Sequence, residues 1–493
     1  MNPASTLSAA TPSSRADSSR ADSSRADSAS NTSASNTSAR AQPPAPPVRT
    51  VAYVMSRFPK LTETFVLFEI LAVEKQKVAV EVYPLLGKAV SGQEVAGAGL
   101  WRKWREHRRA PARPALMHEE ARPYVARAHY HGFLSTAIVW ANMLSMLRHP
   151  RRYFGALAGL IRGTWGNRNY LFGGLAAFPK TVFFARQMQR DGVQHVHAHF
   201  ANHPAAAAYV IHRLTGIPYS FTAHGSDLHR HQHMLGTKVR GAAFVVTISE
   251  YNRRVILEHC DPADAEKVRV LHCGVDLHHF SPAERRRESN EPLQIVCVGT
   301  LHEVKGQAYL LRAVAGLRLR GLACRLDLIG DGADRDMLER LAAELGLVDC
   351  VRFLGVQSRA SLLQRLRAAD VLVAPSVPSS DGRREGIPVV LMEGMACGLA
   401  VVASRLSGIP ELINSDRVGC LCEPKDVDAL TETLQRLAAD DALRLRLGTA
   451  ARQRIETAFS VDANAAKLID MFHDAAGIPS AEPSPATLNG DPD

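Results

Sequence analysis

Eight cysteines are scattered along the 493 residues, and the only close pair, Cys420 and Cys422, is spaced too tightly for a CxxC redox or zinc motif. That excludes a disulfide framework and points to a reducing compartment. The first 48 residues are polar and lack the apolar h-region of a signal peptide, so none is expected. Long apolar runs are also missing. Phe133 to Leu147 falls short of the roughly 20 residues a membrane span needs, and Tyr170 to Ala185 is broken by Gly173, Gly174, Pro179 and Lys180. Any membrane contact is therefore expected to be peripheral. No GxGxxG follows Val54 or Val298, which argues against a dinucleotide-dependent oxidoreductase. No recognised nucleic-acid reading motif accompanies the arginines either.

What remains is an ordinary soluble composition, 46% hydrophobic and 22% charged, on a chain long enough for two or three domains. Ser-Ser-Arg-Ala-Asp repeats over 13–28, Ser-Asn-Thr-Ser-Ala over 30–39, and prolines follow. Such sequence buries no core, so 1–48 is expected to be a disordered tail, and 478–493 likewise. The net charge of +10 is uneven: residues 101–170 hold thirteen Arg or Lys against three Glu and no Asp. Such a patch suits an anionic membrane surface or a lipid pyrophosphate, although it also describes a solvated arginine-rich helical face.

Val51–Met55 reads as a buried strand, followed by a helix from near Thr62 and a second strand over Val78–Leu85. That alternation opens a doubly wound α/β domain over 49–280, interrupted by a basic helical insertion at about 100–190. Strand-like runs return at His195–Phe200, Tyr219–Thr222, Phe244–Ile248, Val268–Leu271 and Cys273–Asp276. A charged linker, 281–292, precedes a second set of strands beginning at Leu293, Arg325, Val351, Val371 and Ala400. The second parallel-sheet domain covers 293–457, a helix at 458–477 is expected to cross back to the first, and a ligand cleft is expected at strand C-termini between them.

The strongest local signal is Glu385-Gly386-Ile387-Pro388-Val389, followed on the same helix by Glu393. Pro388 suits the first helical turn, and amides at a helix start together with the macrodipole favour a diphosphate. A capped amphipathic helix with two surface glutamates would show the same pattern. His195, His197 and His199 alternate along one strand and share a face, a geometry that can bind zinc, but no carboxylate or cysteine ligand adjoins them, so no metal site is expected. Asp334-Arg335-Asp336 and Asp426-Val427-Asp428 have DxD spacing but read as helix-opening acids.

The segment from Glu385 to Ala396 resembles the E-x7-E signature of retaining family 4 glycosyltransferases, and Gly398, Val401–Ala403 and Ser407–Leu412 continue the pattern. Ser56–Phe65 is similar to the colanic-acid or amylovoran type of exopolysaccharide transferase. The resemblance runs from about 50 to 475 and implies a GT-B fold, two Rossmann-like domains facing a cleft. It implies a UDP- or GDP-sugar donor, a lipid-linked glycan acceptor, no cofactor or metal, and a cytoplasmic enzyme with peripheral membrane contact through 101–170. By position, Glu393 would hold the donor ribose, and Glu385 would contact the transferred sugar. Lys305 and Gly306, the turn at Gly330 and Gly332, and Gly386, Ile387, Pro388 and Val389 would line the diphosphate and nucleotide. His224, in Phe221–Asp227, would contact the donor sugar, Asp227 would orient its loop, and His199 would line the acceptor side. Family members usually carry Arg where this chain has Thr300, with Arg383 or Arg384 as substitutes. Two other readings stay open: a nucleotide-sugar epimerase of the same fold, and a non-catalytic glycan or lipid-carrier binding protein.

Overall fold

A computed structural model describes residues 48–59, 63–87, 119–132, 135–229, 232–282 and 291–477. Residues 1–47 of the expected first tail, the whole of the second, most of the linker, and the stretch holding Arg102, Arg105, Arg108 and Arg109 lie outside the described residues, while Val48 is buried in the core.

Six strands, β1 (Thr50–Met55), β2 (Ala79–Pro84), β3 (His195–His199), β4 (Tyr219–Ala223), β5 (Phe244–Thr247) and β6 (Val268–Val270), form one sheet in the order β2-β1-β3-β4-β5-β6. All of its pairings are parallel. A second sheet combines β7 (Leu293–Val298), β8 (Cys324–Ile329), β9 (Val351–Gly355), β10 (Val371–Ala374), β11 (Ala400–Ser404) and β12 (Cys420–Cys422) in the order β12-β11-β10-β7-β8-β9, again all parallel. Helices cover both faces, which is why most strands read as unbroken apolar runs instead of alternating ones. Each sheet reverses its winding once, between β1 and β3 and between β7 and β10. At such points a crevice opens beyond the strand C-termini.

Separate apolar clusters fill the two faces of each sheet. On one face of the first sheet lie helices Thr136–Arg148, Pro150–Thr164, Arg168–Arg190 and His203–Thr215. The third runs straight through Gly173, Gly174, Pro179 and Lys180, residues read in the sequence as interruptions. Its buried side chains, Phe178, Val182, Phe184, Ala185 and Met188, tie it to the core strongly enough to tolerate the proline. On the other face, helix Val461–Ala475 from the end of the chain packs beside helix Thr64–Lys75. Phe472 reaches His195 and His197, with ring centroids 4.9 and 5.5 Å away, and the Asn464 amide donates to His272 O at 2.7 Å.

Three local expectations change. Cys273–Asp276 is not a strand: Val275 makes a single bridge to Ser460, because the chain is there leaving the first domain against the returning C-terminal segment. Cys420–Cys422 is a strand, β12, that its short sequence does not announce. Pro388 caps helix Val389–Ala396 from outside, with φ −63° and ψ 125°, one residue earlier than the first helical turn.

Candidate active site

On the second domain, four strand exits, those of β7, β8, β9 and β10, are stitched together. Leu301 N–H donates to Asp331 O at 3.1 Å, Gly330 N–H to Gly355 O at 2.9 Å, and Val377 N–H to Val304 O at 3.0 Å. Gly306, at φ +67°, would place a Cβ 1.8 Å from Pro375 O, so only glycine lets the Lys305 turn close onto the exit of β10. Glu303 Oε2 then accepts from Ser380 N (3.0 Å) and Ser380 Oγ (2.7 Å), pinning the loop that delivers Glu385. The result is a short ion pair between Lys305 Nζ and Glu385 Oε2, 2.7 Å apart. Thr300 contributes its carbonyl, which accepts from Gln307 Nε2 at 3.1 Å. Arg383 turns to Asp381 (2.9 Å) and Arg384 to Tyr251 Oη (3.3 Å).

Glu393 lies half-buried on helix Val389–Ala396. Burial pushes its carboxyl up to about 7, with the Arg359 charge pulling the other way. Arg359 stands at the domain boundary. It bonds Asp276 Oδ2 at 2.9 Å and Glu120 Oε1 at 3.3 Å, and its guanidinium lies 4.0 Å from the ring centre of Phe68.

Across the cleft, the loop after β4 presents His224. Asp227 fixes this loop by accepting from the amides of His224 (3.0 Å), Gly225 (2.8 Å) and, from the neighbouring strand exit, Ala201 (2.5 Å). His224 is packed between Phe65 and Phe200, with ring centroids 4.6 and 4.7 Å away. Burial holds it well below the usual histidine value, with His199 adding to the effect, so it is neutral near pH 7.

Behind it runs a buried relay. Tyr53 Oη donates to Glu69 Oε1 at 2.8 Å, His199 Nε2 stands 3.2 Å from the same oxygen, and His199 Nδ1 faces His224 Nε2 at 3.1 Å. The carboxylate's charge, 3.2 Å from His199 Nε2 although out of line for a hydrogen bond, favours the proton on that nitrogen. His199 Nδ1 then accepts the His224 Nε2 proton. That leaves an unshared pair on His224 Nδ1, a buried atom with no partner among the described residues.

Glu69, His197 and His199 also place one ligand atom each within 4.8 Å of one another, bringing in the carboxylate that the sequence did not show beside these histidines. Both His197 nitrogens, however, are engaged by hydroxyls, Nδ1 with Ser220 Oγ at 2.8 Å and Nε2 with Thr222 Oγ1 at 2.9 Å. A metal would have to displace them. The DxD candidates Asp334 and Asp426 sit at helix N-caps.

The two halves meet at these loops. A Cβ on Gly386 would lie 3.0 Å from His224 O, so the start of the Glu385 motif rests against the histidine loop. Nearby, Glu411 accepts from Glu250 N at 2.8 Å and Tyr251 N at 2.9 Å, capping a first-domain helix from the second domain. Burial opposes its ionisation, yet the His272 side chain and these two amides hold its carboxyl below the usual range.

Lys305, Gly306, Glu385, Gly386 and His224 are therefore brought together. Ile387 is buried and abuts Gly408, Val389 opens the helix, and Gly332 packs on Leu301 O. His199 departs from expectation: it is fully buried behind His224 and lines no cleft. Glu69, Arg359 and Glu411 were not anticipated, because each acts on a partner far away in sequence.

A model of the glycosyl transferases group 1 matches residues 282–454, and one of glycosyltransferase family 4 matches residues 148–279. The amylovoran biosynthesis glycosyltransferase AmsK of Erwinia amylovora is 37% identical over 196 residues, covering 40% of this chain and 48% of that relative. The chain spans about half the length of the amylovoran and colanic acid relatives it matches. A D-inositol 3-phosphate glycosyltransferase of Salinispora arenicola is 30% identical over 357 residues, 65% of this chain and 76% of the relative. The Anabaena protein HepE, solved in complex with UDP, superposes with a TM-score of 0.60 at 15% identity, over 86% of this chain and all of that one, a likeness of fold. The chain belongs to family 4 of the glycosyltransferases, its two parallel sheets forming the halves of a GT-B fold.

Proposed function

We propose that this chain is a retaining glycosyltransferase that moves a sugar from a UDP- or GDP-sugar to a lipid-linked glycan in exopolysaccharide or cell-surface polysaccharide biosynthesis. The observation that carries this reading is the Lys305–Glu385 pair set against the His224 loop through Gly386. Lys305 meets the diphosphate, helped by the amides of Val389 and Val390 that open helix Val389–Ala396. Glu393 accepts hydrogen bonds from the ribose diol, and Glu385 and His224 Nδ1 accept them from sugar hydroxyls. The acceptor oxygen bonds to the anomeric carbon on the face from which the β-phosphate oxygen departs. That oxygen takes the acceptor proton, so no protein nucleophile, cofactor or metal enters the reaction.

None of the described helices is long and apolar enough to cross a membrane. We place the enzyme at the cytoplasmic membrane face, held peripherally by the basic region 101–170. Charge reversal at Arg102, Arg105, Arg108 and Arg109 that left vesicle sedimentation unchanged would remove the part of that region outside the described residues.

Thr300, where the family resemblance implies a second diphosphate cation, favours one rival, a glycan or lipid-carrier binding protein that turns over no donor. A thermal-shift panel of UDP, GDP, ADP and their sugars, on the parent and on Glu393→Ala, decides between them. A ligand at about 100 times its dissociation constant adds roughly 2.7 kcal/mol. A shift for one nucleotide, lost in the variant, is expected; no shift for any nucleotide favours the rival.

A further inference from the structure

From Ala121 to Arg190 the sequence contains nine Arg and one Lys and not a single Asp or Glu. Lys180 is turned inward, donating to Leu85 O at 3.0 Å. In the three-helix layer that follows Ser135, seven arginines remain: Arg148, Arg151, Arg152, Arg162, Arg168, Arg186 and Arg190. None of them forms an ion pair among the described residues. Elsewhere about half of the described arginines are paired, as Arg127 is with Glu74, Arg352 with Asp327 and Arg359 with Asp276.

Three of the seven converge. Arg148, at the end of helix Thr136–Arg148, and Arg186 and Arg190, on the last turns of helix Arg168–Arg190, line a cavity of about 270 Å³ together with His149 and Ser145. Two of these cations end helices, where the dipole welcomes positive charge. Arg186 lies a turn inside its helix, and burial together with the Arg190 and Arg148 charges lowers its affinity for its own proton. Like charges crowded around a solvent-open space, with no carboxylate among its lining residues, fit an anion.

Helix Thr136–Arg148 has an apolar outer stripe. Val139, Trp140, Met143, Met146 and Leu147 fall within about a third of its circumference, and Trp140 and Leu147 are 60% and 67% exposed. The helix begins near the cleft end of the sheet, where Tyr130 bonds Phe58 O after β1. It finishes near the opposite end, beside Leu214 and Thr215, which precede β4. Stripe and cavity thus lie along the flank of the first domain, outside the cleft. A tryptophan-bearing apolar stripe bordered by unpaired arginines has the chemistry of an interfacial helix on an anionic bilayer.

We propose that helix Thr136–Arg148 docks this protein on an anionic phospholipid membrane, with Trp140 and Leu147 entering the headgroup boundary and Arg148, Arg186 and Arg190 enclosing a lipid phosphate. The proposal rests on the peripheral reading above and assigns its anchor to residues distinct from Arg102–Arg109.

The test is co-sedimentation of the full chain with phosphatidylglycerol/phosphatidylcholine vesicles, and with phosphatidylcholine alone, at about 0.1 M salt. The parent is expected to bind only the anionic vesicles. The triple variant Arg148→Gln, Arg186→Gln, Arg190→Gln should weaken partitioning on the order of a hundredfold, at about fivefold per basic residue. Trp140→Ser with Leu147→Ser, at exposed positions that leave the core intact, should weaken it at least tenfold. In both, the nucleotide-induced thermal shift should persist. Equal binding of the triple variant and the parent overturns the proposal, as does equal binding to neutral vesicles. Arginine-dependent stabilisation by inorganic phosphate without any vesicle preference also overturns it, in favour of a free-phosphate site. If only changes at Arg102–Arg109 abolish sedimentation, this anchor is wrong while the peripheral reading stands.

Discussion

In the unliganded chain, Lys305 is already occupied. Its ammonium lies 2.7 Å from Glu385, and the two side chains are only 21% and 17% exposed. A donor diphosphate that takes Lys305 must part this pair and then sit near the released carboxylate. Exposed ion pairs contribute under about 1 kcal/mol, but a short, partly desolvated, charge-assisted hydrogen bond contributes about 1.5–3 kcal/mol. The lower end of that range corresponds to a factor of about ten in affinity. Glu385→Gln removes the competitor and its charge while keeping the side chain's shape. The nucleoside diphosphate that binds the parent should therefore bind the variant about tenfold more tightly in isothermal titration, and the gain should shrink as salt is raised. Sugar transfer should move the opposite way, falling at least a hundredfold, because the carboxylate beside the reacting carbon is gone. Nucleotide affinity that stays equal or weakens in Glu385→Gln would refute the competition, and with it the assignment of Lys305 to the diphosphate.

Two further outcomes are expected. Glu393 is raised from 4.5 to about 7 in the fold, chiefly by burial, so the folded chain holds a proton that the unfolded chain releases. Its stabilising contribution is complete below about pH 4.5 and lost as pH rises through about 7; calorimetry should find Glu393→Gln gaining on the parent across that window, and a pH-independent difference in melting temperature would contradict it. Glu69→Gln should cut turnover about tenfold, the equivalent of one hydrogen bond of roughly 1.4 kcal/mol, with donor KM little changed. Long-range ¹H–¹⁵N spectra should show His224 losing its single tautomer, and an unaltered tautomer would dismiss the relay.

The sheets were legible because buried parallel strands need continuous apolar runs, and Val51–Met55, Leu293–Val298 and Val371–Ala374 supply them. β3 announced itself differently: its histidines alternate on one face because Ser220 and Thr222 of the adjoining strand answer them. The Glu385–Glu393 motif was legible because it is contiguous in sequence. What escaped was whatever depends on chain segments meeting late. Nothing in the spacing of Glu69 and His199 tells that a helix brings them together. His199 looked like a cleft residue from its place at a strand end, but the loop carrying His224 folds over it. The three-residue β12 is too short for periodicity to register.

The Glu411 cap has a bearing on modularity. A carboxylate of the second domain closes the amino end of a helix belonging to the first, and Gly408 packs against Ser249 at the same seam, where a Cβ would come within 2.8 Å. Exchanging the second domain between relatives at the linker alone keeps this cap only where the incoming domain brings a carboxylate at the Glu411 position and a glycine at the Gly408 position, because the recipient helix offers its backbone amides whatever its side chains are. The seam, as much as the linker, decides which halves can be joined.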